Sequence, residues 1–134
     1  MAPPLLDTSV VMRYLIGEPA ELARRAVELV EGEETVLLSE LALAEAAYVL
    51  TSFYDVERQQ VAEVLIGLVE RANVRLCRVS KPLAVHALKL AAPSRRVSFT
   101  DALLWAEART MGVSRILTFD RRFPADGVEL AGLP

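Results

Sequence analysis

The sequence predicts an α/β domain with a mainly parallel central sheet flanked by helices on both faces. Short apolar, β-prone runs alternate with longer segments whose apolar residues recur at helical spacing. Glycines, prolines and Ser/Asp capping signals fall between them. Hydrophobic residues make up 53% of the 134 residues. That supplies one sizeable core, and the length suits a single domain over 1–134.

Each element has a local reason. Pro3 to Asp7 is a short apolar run ended by an acid, a buried strand. Ser9 to Ile16 has helical character, and Gly17 stops it. Pro19 opens a second helix, as proline suits a first turn. Leu22, Ala26, Leu29 and Val30 follow at helical spacing until Gly32. Thr35 to Leu38 is the second strand. Ser39 caps a helix to about Ser52, and Asp55 caps the next, which carries Val56, Val61, Val64, Leu65, Leu68 and Val69. Asn73 to Val79 is a third strand by its β-branched bias. Ser80 and Pro82 start a helix to about Ala92, and Pro93 to Val97 is a loop. Ser98 caps Phe99 to Met111, which Gly112 ends. Arg115 to Phe119 is a fourth strand. Asp126-Gly127 is a turn before a last short strand, Val128 to Leu130.

Composition excludes several classes. Only 6% of residues are aromatic, so the core is aliphatic. The longest stretch free of Asp, Glu, Lys and Arg is nine residues, Ala46 to Tyr54, where a membrane-spanning helix needs about 20. The N-terminus lacks a basic segment before its apolar run and meets Asp7 early, unlike a signal peptide. One cysteine, Cys77, excludes an internal disulfide framework and a cysteine-rich zinc site. A cytoplasmic protein is expected. Net charge is −3, which argues against binding nucleic acid by bulk positive charge alone.

Four carboxylates stand out, since ligands of open α/β sheets bind beyond the carboxyl ends of the strands. Asp7 ends the first strand; taken alone, it reads as a helix cap. Glu45 is the only charged residue between Leu41 and Tyr54. A helix apolar on all sides is buried, and a lone carboxylate there needs a partner. The plainer reading is a glutamate that reaches solvent through a gap or pairs with a distant arginine. Asp101 follows Ser98 by three residues, as in a capping box. Asp120 follows the apolar run Ile116–Phe119 and by itself reads as a turn residue. Glu40, in the first turn of its helix, reads as structural. Three or four carboxylates on one cleft repel unless a cation neutralises them, and oxygen-only ligands select hard cations such as Mg²⁺ or Mn²⁺. The lone histidine, His86, reads as packed or partly exposed, and Cys77 as a small buried hydrophobe. Dinucleotide, P-loop and nucleophile-elbow fingerprints do not occur.

LLDTSVV at 5–11, SELALAEAAYVL at 39–50, SFTDALLWAEAR at 98–109 and ILTFDRRF at 116–123 together resemble the PIN-domain family and, within it, the VapC-type toxin ribonucleases. The likeness covers nearly the whole chain. It implies a parallel sheet flanked by helices, and an acidic cluster of Asp7, Glu45, Asp101 and Asp120 that binds Mg²⁺ or Mn²⁺ and cleaves RNA. Ser9 matches a polar site near the metal, where many relatives have Asn, and Thr118 a hydroxyl residue near the last acid. Their plain readings are a helix cap and a strand residue. The placement of the last acid varies in the family. With no good side-chain nucleophile, a metal-activated water would attack the phosphodiester, leaving by the same resemblance a 5′-phosphate and a 3′-hydroxyl. Arg95, Arg96, Arg121 and Arg122 flank two of the acids and are candidates for RNA backbone contacts, or simply solvated surface arginines.

The resemblance also implies a homodimer and a small antitoxin partner. The apolar helices around Tyr48, Leu50, Phe53 and Tyr54, and around Val61, Val64, Leu65 and Leu68, are expected to offer surface for such partners. The alternatives are a PIN-like binding module that has lost catalysis and a metal-dependent phosphatase of another α/β family. One phosphatase pattern wants a second Asp two residues after the first, where Ser9 stands. A receiver domain expects an adjacent acidic pair and a late lysine, and the only lysines are Lys81 and Lys89.

Overall fold

The computed structural model describes residues 2–132. Among them are α1 (Thr8–Ile16), α2 (Ala20–Val30), β1 (Val36–Leu38), α3 (Glu40–Ser52), α4 (Arg58–Val69), β2 (Val74–Leu76), α5 (Lys81–Ala91), α6 (Phe99–Thr110), β3 (Arg115–Leu117) and β4 (Glu129–Ala131). β1 pairs with β2 and β3 with β4, both in parallel. The α/β class is therefore as the sequence predicts.

All strands but the last, which shifts by one residue, are shorter than expected, and chemistry explains where two of them stop. Pro3 to Asp7 forms only a bridge of Leu5 to Leu37. The Leu6 N–H donates to the Leu37 carbonyl at 2.8 Å, and the Leu37 N–H to the Pro4 carbonyl at 2.7 Å. Pro3 and Pro4 have no N–H to extend the ladder. Pro4 and Leu6 face β1, so the outward edge falls to Pro3 and Leu5, and Pro3 offers no donor there. The described strands accordingly lie in two two-stranded sheets rather than one continuous sheet, with Leu5 bridged to the first. The expected strand Asn73 to Val79 contracts to β2, because the N–H groups of Arg78 and Val79 turn to the Glu40 carboxylate. Cys77 is exposed just beyond β2, not buried within a strand.

The helix starts follow the capping signals. Hydroxyls of Ser39, Ser80 and Ser98 accept backbone N–H groups of Leu41, Leu83 and Asp101. Gly17 ends α1 at φ 81°, a left-handed conformation that glycine adopts without a Cβ penalty. One start differs: α4 begins at Arg58 after Glu57, and Asp55 caps nothing. Asp55 instead takes φ 55° in the turn leaving α3, a region that Asp tolerates better than most residues.

Trp105, Leu38, Leu43, Leu65, Leu68 and Leu88 are fully buried in the core. Leu50, Val61, Leu65 and Leu68, expected to offer surface to partners, are therefore spent within the fold, while Tyr48, Phe53 and Tyr54 remain exposed. The β3–β4 pair is fastened to α6. Phe123 is buried, and the Trp105 indole N–H and the Arg109 guanidinium both donate to the Asp126 carbonyl at 2.9 Å. His86 is half exposed and sets its ring edge on Trp105, with Nε2 3.9 Å from the Asp126 carboxylate.

Candidate functional site

Asp7 stands where the N-terminal segment turns into α1. Its carboxylate accepts the Ser9 N–H at 3.1 Å and the Ser9 hydroxyl at 2.5 Å. These two bonds, the hydroxyl's foremost, hold its pKa below the ordinary carboxylate value. Asp7 is thus both the helix cap and a solvent-facing anion.

Glu45 is placed differently from the expectation. α3 is not apolar on all sides: Ala42, Leu43, Ala46, Ala47 and Leu50 form its buried face. Leu41, Glu45 and Tyr48 form an exposed stripe at helical spacing. The alanines let α3 pack closely on that face, where Leu43 and Leu50 fill the core. Glu45 reaches solvent in a hollow of about 450 Å³ between α1 and α3, whose lining includes Asp7, Ser9 and Arg13.

Asp101 and Asp120 form the second pair. The Ser98 hydroxyl accepts the Asp101 N–H at 2.9 Å, which fixes the first turn of α6. Asp120 lies beyond β3. The Thr118 hydroxyl accepts the Asp120 N–H at 3.0 Å. The Asp120 carboxylate accepts the Arg122 N–H at 2.8 Å and its guanidinium Nε–H at 3.3 Å. The backbone bond is the main reason its pKa is lowered. Asp101 and Asp120 line one hollow of about 570 Å³ with Thr118 and Arg122.

The four acids line two hollows, Asp7 and Glu45 one and Asp101 and Asp120 the other. Among the described residues, no three His, Cys, Asp or Glu side chains form a group that could hold a metal ion. Each pair nonetheless fits a hard cation by its donors, because Mg²⁺ binds through one or two carboxylates and completes its shell with water and substrate phosphate. Arg95, Arg96, Arg121 and Arg122 are all exposed. Sequence reasoning did not single out Arg13, which shares the Asp7–Glu45 hollow. Its signal was present, since Ser9 and Arg13 are four apart on one helical face.

A model of the PIN domain matches residues 5–126. The chain belongs to the PIN-domain family. A "VapC ribonuclease" of Aquifex aeolicus (strain VF5) is similar to this PIN domain, 32% identical over 124 residues that cover 89% of the chain and 88% of the relative. All four acids lie within the matched span. No described helix of the PIN domain is long and apolar enough to cross a membrane.

Proposed function

We propose that the chain, as a single domain over residues 1–134, is a metal-dependent endoribonuclease and the toxin of a type II toxin–antitoxin pair. One observation carries this reading: in a PIN-domain chain similar to a VapC ribonuclease, the acids pair around two open hollows. Asp7, Glu45, Asp101 and Asp120 hold Mg²⁺ or Mn²⁺. A cation held there would supply a water made nucleophilic near neutral pH and compensation for charge developing on the phosphate. Ser9 orients Asp7 through its hydroxyl. Thr118 fixes the backbone at Asp120. Arg95, Arg96, Arg121 and Arg122 contact the RNA backbone.

The protein works in the cytoplasm as a homodimer that a small antitoxin restrains. A hollow of about 290 Å³ between α1 and α2, lined by Val10, Leu22 and Leu29 with Arg13 and Arg25, supports the antitoxin reading. It shares Ser9 and Arg13 with the Asp7–Glu45 hollow. An apolar antitoxin segment seated there reaches the acids with a basic side chain.

The test is RNA cleavage by the purified protein. Cleavage that needs Mg²⁺ or Mn²⁺, stops in EDTA and falls on the order of 10² or more in Asp7→Asn and Asp101→Asn is the expected result. An inactive protein under saturating Mn²⁺ favours a binding module instead. Release of phosphate from monoesters with RNA left intact favours a phosphatase. Co-expression with the product of a neighbouring small gene is expected to yield a stable complex with suppressed cleavage.

A further inference from the structure

Phe53 and Tyr54 sit at the end of α3 with their rings 5.0 Å apart and 70° from coplanar. Phe53 is 78% exposed, although burial of an aromatic ring is among the largest gains a fold can make. The backbone holds the pair in place. The N–H groups of Phe53 and Tyr54 both donate to the Val49 carbonyl, and the Val56 N–H returns to the Leu50 carbonyl. Both rings line the hollow that contains Asp7, Ser9, Arg13 and Glu45.

Whatever covers these rings also covers two carboxylates and an arginine. An apolar protein patch seated there would strip water from Asp7 and Glu45 without replacing it, which is costly. A nucleotide complements the whole hollow. Its base presents a π-face to the rings, and its phosphate presents an anion to Arg13 and to a cation held by the acids. A base inside a duplex has both faces covered by its neighbours, so the occupant has to be unstacked.

We propose that Phe53 and Tyr54 form a base-stacking subsite that receives an unpaired base beside the cleaved phosphate. The proposal rests on the ribonuclease reading above and adds a base-binding subsite to that site. Stacking on an aromatic side chain is sequence-tolerant, so the subsite selects for an unstacked base rather than for one base identity.

The test reads binding, separately from cleavage. Asp101 does not line this hollow, so Asp101→Asn serves as the slow background. A fluorescein-labelled single-stranded RNA is titrated with Mn²⁺ present, by anisotropy. A set of oligonucleotides carries one abasic nucleotide at successive positions. One position should weaken binding on the order of 10- to 100-fold. That penalty should vanish in Asp101→Asn/Phe53→Ala and return in Asp101→Asn/Phe53→Trp, and the preference for single strand over duplex should narrow in Asp101→Asn/Phe53→Ala alone of the three. An abasic penalty unchanged by Phe53→Ala overturns the proposal, as does failure of the background variant to bind RNA. Sedimentation of Phe53→Ala covers the rival occupant. Loss of a dimer with the abasic profile intact makes the rings a protein interface and overturns the subsite. A Phe53-dependent penalty in a wild type that cleaves no RNA preserves the subsite and sinks the ribonuclease reading. Cleavage without such a penalty does the reverse.

Discussion

The Glu40 carboxylate accepts the backbone N–H of Val79 at 2.9 Å. The same oxygen accepts the Arg78 N–H at 3.0 Å, and Glu40 is only 4% exposed. A buried carboxylate at the start of α3 thereby ends β2 and sets the turn into α5. Glu40→Ala leaves two N–H groups without acceptors. At about 1.5–3 kcal/mol for each hydrogen bond to a charged group, the expected loss is about 3 kcal/mol or more. Urea denaturation measures it, and Glu40→Gln, which keeps an acceptor oxygen, should lose less.

Glu45 predicts the opposite behaviour on the same helix. It is exposed and its neighbours Leu41 and Tyr48 are exposed with it, so Glu45→Gln should change stability by no more than about 0.5 kcal/mol. RNA cleavage should nonetheless fall on the order of 10² or more. Thermal melts and cleavage rates of the same preparation separate the two effects.

Arg58 ties three helices together. Its guanidinium donates to the Ala91 carbonyl at the end of α5 and to the Val97 carbonyl just before α6, and it lies 4.6 Å over the Phe99 ring. Lysine has one compact charge and no planar fork to span two carbonyls. Arg58→Lys should cost about 1–2 kcal/mol. It should also speed hydrogen exchange at the Asp101 N–H, which Ser98 caps, more than at core amides such as those of α3.

Tyr14 supplies a pH prediction. Its hydroxyl donates to Glu31 at 2.7 Å. Burial, then the Glu31 bond and charge, raise its pKa above the ordinary 10.0. A raised pKa in the folded state stabilises fully below the unfolded value and loses that contribution as pH rises through the folded one. Stability should therefore decline from about pH 10 upward, and Tyr14→Phe should remove that part of the decline. Absorbance titration of tyrosinate and urea midpoints across the same pH range check it.

Local signals made much of this protein legible. Ser39, Ser80 and Ser98 cap the helices they were read to cap, and Gly17 ends α1. Capping and glycine conformation act within one turn, so neighbouring residues suffice to reveal them. Each of the four acids carries a local mark, a strand end, a cap or an apolar run, but their grouping into one candidate site comes from the resemblance to the PIN-domain family. Tertiary structure decided what local signals cannot carry. Glu40 and Glu45 are five residues apart on α3: Glu40 is structural, as its first-turn position suggests, but it is the buried carboxylate, while Glu45, expected among buried apolar neighbours, is the exposed one. Which face of a nearly uniform Ala/Leu helix turns inward depends on partners elsewhere in the chain, here the Arg78 and Val79 N–H groups. The pairing of Asp7 with Glu45 and of Asp101 with Asp120, and the Phe53–Tyr54 rings beside the first pair, depend likewise on how α1 meets α3 and α6 meets β3. These are long-range packing choices, and no short stretch of sequence contains both sides of the contact.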